Sequence, residues 1–155
     1  MPRKRIADAA FTDSIASNLL EALPVFPKRL LMTDAVSRDQ HMPPSHIQIL
    51  VILSGGDMSV GELSDRLGIA KPNITPLVDA LRDQGLVERQ KDSRDRRIVN
   101  VHLLDSGREK LSEIHAYLER QVDVWAGQLS RSELKEFNNA LASLLRMLGQ
   151  VRDDQ

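Results

Sequence analysis

Between Arg89 and Arg97 the chain places five basic residues against two acidic ones: Arg89, Lys91, Arg94, Arg96 and Arg97, with Asp92 and Asp95. Cations at that density can neutralise phosphates, and an arginine can enter a narrow groove of enhanced negative potential. A second set lies upstream. Lys71, Asn73, Thr75, Pro76, Asp79 and Arg82 share a segment whose apolar residues Ile74, Leu77, Val78 and Leu81 fall at i, i+3, i+4 and i+7, one stripe of a helix. Lys71 suits a phosphate or a guanine edge, Asn73 an adenine, and Thr75 a base or a phosphate. Pro76 offers carbon surface to a thymine methyl, and Arg82 is a further cation on this exposed side. Asp79 repels phosphate and is expected to pair with Arg82 or with the basic run. The plainer alternative for each position is a solvated side chain, and a charge run is most often a solvated loop.

The elements that must position these residues are legible on either side. Ser59-Val60-Gly61-Glu62 has the S-x-x-E form of a capping box, so a helix starts there, carries Leu63 and Leu67 on one face, and stops at Gly68. The second helix, bearing Lys71 to Arg82, ends at Gly85. Leu86 to Gln90 and Ile98 to Leu104 read as strands, with Val99, Val101 and Leu103 alternating. Asp57-Met58 can add a small third strand. The charged stretch between the two strands is too long for a tight turn and too polar to bury. Two short helices around a glycine turn, followed by a hairpin with a basic tip, form a helix-turn-helix with a wing. Arg94 is the candidate for the wing tip, and Arg96 and Arg97 for the flanking phosphates. Asp92 and Asp95 are expected to brace the loop against its arginines.

The segment from Leu67 to Arg89, LGIAKPNITPLVDALRDQGLVER, resembles the recognition-helix region of MarR-family transcriptional regulators. Asp92-x-Arg94-Asp95-x-Arg97 is similar to that family's wing signature, D-x-R-D-x-R. With its generic flanking helices the resemblance spans roughly residues 11 to 151. It implies double-stranded DNA as partner and a homodimer in which the first helix and the last two interlock. It also implies an Asp–Arg pair bracing the wing. A small effector, often aromatic or anionic, would bind in a crevice for which Phe26, Leu30, Met32, His41, Ile47 and Trp125 are the candidates; ordinary core or dimer seam is the alternative for them. Two positions depart from the family pattern. Ala70 stands where a Ser or Thr cap is usual, and Pro76 lies inside the helix. Thr75-Pro76 is itself a good cap and first turn, so the recognition helix is expected to start in two steps, with Pro72 leading the first turn.

The rest of the chain sets the frame. Its 155 residues suit one domain, and 41% hydrophobic with 28% charged residues excludes a wholly disordered chain. Net charge is -1, so any contact with a polyanion depends on local charge. The expected class is mainly α with a small β wing. Residues 1–10 read as a basic tail containing Arg3-Lys4-Arg5, and 11–155 as one domain. Within it, 44–104 form the winged helix-turn-helix, and 11–36 and 105–151 the dimerisation helices. The first helix carries Ile15, Leu19, Leu23, Phe26 and Leu30 down to about Val36 and is expected to kink or break at Pro24 and Pro27. Residues 37–44 read as a loop, and a helix begins near Pro44. Asp105 can cap a long helix bearing Leu111, Ile114, Leu118, Val122, Trp125 and Leu129. Ser130-x-x-Glu133 opens a last one with Leu134, Phe137, Leu141, Leu144, Leu145, Leu148 and Val151. Apolar stripes in excess of one small domain mark an association surface.

Cys is absent, which removes disulfides and thiol switches. No apolar run suggests a membrane partner, and a cytoplasmic protein is expected. No catalytic triad, P-loop or paired-carboxylate pattern is present, and no cofactor is implied. His41, His46, His102 and His115 are scattered, so no metal site is expected. The reading is a DNA-binding regulator, a repressor, acting on a pseudo-palindromic duplex. A protein-interaction module built on the same fold, or a small-molecule binder without operator binding, are the alternatives.

Overall fold

The computed structural model describes residues 9–92 and 98–149. Its elements are α1 (Ala9–Ala22), a π-helical turn (Phe26–Leu30), α2 (Thr33–Gln40), α3 (Pro44–Leu53), β1 (Met58–Ser59), α4 (Val60–Leu67), α5 (Lys71–Asp83), β2 (Val87–Lys91), β3 (Val99–Leu103), α6 (Asp105–Ala126) and α7 (Arg131–Leu148). The class is the expected one, mainly α with a small β wing. The chain divides within α6 into two compact units, Met1–Ile114 and His115–Gln155. The tripeptide Arg3-Lys4-Arg5, the wing residues Arg94, Asp95, Arg96 and Arg97, and Val151 lie outside the described residues.

In the first unit, β1, β3 and β2 form an antiparallel sheet in that order, with Met58 opposite Val101 and Val87 opposite Leu103. Side chains alternate across the sheet, so Val87, Val101 and Leu103 turn to the core. They meet Ile49, Leu50 and Leu53 of α3, Leu63 of α4, and Ile74, Val78 and Leu81 of α5. The start of α6 is tied to this core through the turn after α5. Ser106 Oγ donates to the Gly85 carbonyl at 2.5 Å, and the Leu104 amide to the Leu86 carbonyl at 3.1 Å. Gly107 is buried there, and any side chain at that position would collide with the Leu86 carbonyl and the Leu103 side chain.

Both capping boxes form. Ser59 Oγ accepts from the Glu62 amide and Glu62 returns to the Ser59 amide, at 3.2 and 2.7 Å. Ser130 and Glu133 repeat the pattern at the head of α7. Hydrogen bonds from the two serines hold both glutamates below the usual carboxylate range.

Two segments differ from the sequence expectation. Residues 37–44 do not form one loop, because α2 continues to Gln40. His41 closes it in the left-handed conformation (φ 50°), and the Met42 amide reaches back to the Ser37 carbonyl at 3.1 Å. Gly68 and Gly85 end α4 and α5 with the same backbone bond, Ile69 to Ser64 and Leu86 to Leu81. Without a glycine at position 41, this terminus left no signal. The recognition helix is also one piece: α5 runs from Lys71 through Pro76 to Asp83, with Pro72 in its first turn and no side-chain cap from Ala70. The break expected at Pro24 and Pro27 is present, since α1 stops at Ala22 and a π-helical turn follows.

In the second unit, Trp125 meets Phe137 edge-on, ring centroids 5.2 Å apart. Leu134, Phe137 and Leu141 are half-buried, whereas Leu144, Leu145, Met147 and Leu148 are exposed. On α1, Phe11, Ile15, Leu19 and Leu20 are exposed as well. Among the described residues no helix is long and apolar enough to cross a membrane.

His46, on α3, is buried, and among the described residues its Nδ1 has no hydrogen-bond partner. Burial lowers its pKa from the ordinary 6.5. The unfolded chain therefore takes up a proton near that value which the folded chain resists. This contribution to stability is intact above about pH 6.5 and declines as pH falls below it. Between about pH 7.5 and about pH 5.5 the thermal midpoint of the protein should fall more than that of His46→Leu. The two capping glutamates titrate in the unfolded chain below this window. Parallel slopes for the two proteins would show that His46 is not held neutral.

Candidate nucleic-acid interface

The candidate surface is the outer side of α5 together with the wing. Burial of Ile74, Val78 and Leu81 fixes which side of α5 faces out, and Lys71, Pro72, Asn73 and Pro76 are exposed there. Thr75 is half-buried, and its hydroxyl donates to the Lys71 carbonyl at 3.3 Å. Its hydroxyl proton is thus committed to the helix and not offered outward. The Lys71 ammonium folds over the first turn of α4, where a Cβ built on Gly61 would lie 3.2 Å from Nζ.

Farther along α5, Asp79 gathers cations. Its carboxylate lies 3.1 Å from Arg82 and 3.3 Å from Arg89 of β2. Arg82 also pairs with Asp83 at 2.9 Å. Hydrogen bonding to Asp83, then the charges of Asp83 and Asp79, raise the Arg82 pKa. Arg82 therefore sits between two carboxylates, and its charge is offset before any phosphate approaches. The half-buried Arg89 also donates to the Thr75 carbonyl at 3.4 Å, so it ties β2 to the recognition helix. The pairing of Asp79 with Arg82 or with the basic run was expected from the sequence; which cation of the run would take part was not. The signal was present: two residues after Val87, Arg89 shares the core-side face of β2, a register where a cation needs a partner.

At the root of the wing, the Asp92 amide donates to the Ile98 carbonyl at 2.9 Å, and its carboxylate accepts from Asn100 Nδ2 at 3.3 Å. On the outer face of the sheet His102 Nδ1 lies 2.7 Å from Asp57. This pair joins β3 to the loop before β1, a structural contact consistent with the position of His102 on the second wing strand. The neighbouring wing positions 94–97 lie outside the described residues.

Five of the six candidate crevice residues lie in the first unit. Phe26 is exposed and Leu30 half-buried on the π-helical turn; Met32 is buried, His41 exposed and Ile47 half-buried. Trp125 belongs to the second unit, against Phe137. Among the described residues no group of three or more His or carboxylate side chains could hold a metal ion.

Comparison with known proteins agrees with this geometry. The model of the MarR family matches residues 42–98, from the approach to α3 to the end of the wing loop. The HTH-type transcriptional regulator YsmB of Bacillus subtilis is 39% identical over 72 residues, 46% of this chain and 49% of YsmB. The transcriptional repressor MprA of Escherichia coli is 32% identical over 97 residues, 60% of this chain and 53% of MprA. The chain spans about half the length of the curated relatives it matches. The structure of a MarR family protein from Bacillus stearothermophilus superposes with a TM-score of 0.71 at 25% identity, over 92% of this chain and 99% of that one. Over residues 42–98, which hold α3 to the end of the loop after β2, the chain is thus similar to the MarR family, and it shares the fold of a solved member.

Proposed function

We propose that this protein is a transcriptional regulator, a repressor, that binds a pseudo-palindromic duplex site as a homodimer. The observation that carries this reading is the orientation of α5, which buries Ile74, Val78 and Leu81 and presents Lys71, Asn73 and Pro76 outward. An amphipathic helix so placed can lie in a major groove with its N-terminal half against base edges. Asn73 then reads a base, Lys71 meets a phosphate or a guanine edge, and the Pro76 ring faces a thymine methyl. Arg94 enters the minor groove, while Arg96 and Arg97 meet flanking phosphates. Thr75 and Arg82, which have internal partners, contribute through helix geometry more than through direct contact.

Dimerisation is supported by the apolar residues exposed on α1 and at the end of α7, Phe11, Ile15, Leu19 and Leu20 with Leu144, Leu145 and Leu148. A symmetric dimer would place two recognition helices about one turn of DNA apart, ~34 Å. Sedimentation equilibrium at micromolar concentration should give a dimer. A soluble monomer would remove the two-fold operator from this account.

The wing and the recognition helix should fail differently. Arg94→Ala should weaken binding to many sequences, most where an A·T-rich step narrows the minor groove. Its log K should depend less steeply on log salt, by about one unit per arginine lost per subunit. Asn73→Ala should relax preference at one symmetric base position per half-site, by ~1–3 kcal/mol, with little change in salt slope. Binding of each variant to a site selected from random duplexes, and to its single-base mutants across a salt series, separates the two effects. An Arg94→Ala protein with unchanged affinity and slope would favour a protein-interaction role for the wing.

A further inference from the structure

Pro76 lies inside a helix that does not break there. In an α-helix the amide of residue 76 would donate to the carbonyl of residue 72. Proline has no N–H, and its ring crowds that carbonyl and tilts it away from the axis. The neighbouring carbonyls of Lys71 and Thr75 each receive a side-chain donor, from Thr75 Oγ1 and Arg89 Nη2. Among the described residues no side chain donates to the carbonyl of Pro72. Pro72, Asn73 and Pro76 are exposed together on the side of α5 opposite its buried stripe. Two prolines and an asparagine are short, so the backbone itself can approach whatever this face meets.

We propose that the Pro72 carbonyl is a base-reading acceptor. The proposal rests on α5 being the helix that enters the major groove. There adenine N6 and cytosine N4 present amine hydrogens, whereas guanine O6 and thymine O4 present acceptors. A main-chain oxygen aimed at the base edge accepts from the first pair and repels the second. It therefore selects amino-bearing over keto-bearing bases at a position beside the one contacted by Asn73. This preference belongs to no side chain, and the residue that creates it is Pro76, four positions along the helix.

The test deletes the amine and restores the helix bond independently. Within a selected duplex, deoxynebularine replaces each deoxyadenosine and deoxyzebularine each deoxycytidine, one at a time, removing only the exocyclic amine from the major-groove edge. At one symmetric position the replacement should weaken binding of the wild-type protein about 2- to 10-fold per half-site, the range of one neutral hydrogen bond. Pro76→Ala returns an amide to the Pro72 carbonyl. In that variant the same replacement should have no effect, and the variant should melt at a higher temperature because the helix regains a bond. Loss of discrimination accompanied by a lower melting temperature would overturn the inference. So would an amine effect at every position that persists in Pro76→Ala. Wild-type protein that selects no duplex sequence would refute the groove reading of α5 itself. Selective binding that is indifferent to every amine would refute the carbonyl alone.

Discussion

The burial of one stripe on α5 decides how the remainder of the first unit can be arranged. Ile74, Val78 and Leu81 are each fully buried, and such side chains contribute about 1.5–3 kcal/mol apiece when removed from water. A proline in a helix interior costs about 3 kcal/mol. The stripe outweighs Pro76, which is why α5 stays in one piece where local propensity alone allows a two-step start. Once those three residues face the sheet and α3, the opposite side of the helix must face solvent. The positions available for recognition follow from packing, before any charge is considered.

Charge then tunes that surface, and the tuning is subtractive. A chain of net charge -1 has no general attraction for a polyanion. On α5 itself Asp79 and Asp83 offset Arg82, and Asp79 also holds Arg89. The Arg89–Asp79 pair is partly exposed, so its direct contribution to stability is small after solvent screening. Its geometric consequence is larger. Arg89 joins the strand that leads into the wing to the helix that carries Asn73, so the two candidate DNA contacts share one rigid mount. On the proposed function, concentrating cations in the sequence after β2 and damping them on α5 would divide the labour, with attraction from the loop and discrimination from the helix.

How much of this was legible depended on whether the deciding interaction was local. The capping boxes at Ser59 and Ser130 and the glycine stops at Gly68 and Gly85 are sequence-adjacent devices, and both boxes and both stops stand where the spacing put them. The end of α2 uses the same backbone closure with His41 in place of glycine, so the chemistry was present and its usual marker was missing. The small strand Met58–Ser59 was legible one residue early, as Asp57-Met58, because it borders a hairpin that could accept it. Arg89 was not distinguished from the other cations of its run, for a different reason. Its partner Asp79 is ten residues away on another element, and only the docking of α5 on β2 brings them together.

Pro76 shows how a departure from local rules carries information in both directions. Read along the sequence, it argued for a helix boundary. In the folded chain it is a helix interior position whose cost is met by burial on the other face, and the helix forgoes the bond that an amide at 76 would give the Pro72 carbonyl. A residue with an N–H at that position would make a better helix and leave the backbone nothing to offer outward. Side chains at 71, 73 and 75 vary in reach and can swing, whereas a main-chain oxygen is fixed to the helix axis and loses no rotamer freedom on contact. Any recognition it performs is therefore pre-organised by the same core that orients α5, so the fidelity of the outer face depends on the packing of Ile74, Val78 and Leu81 beneath it.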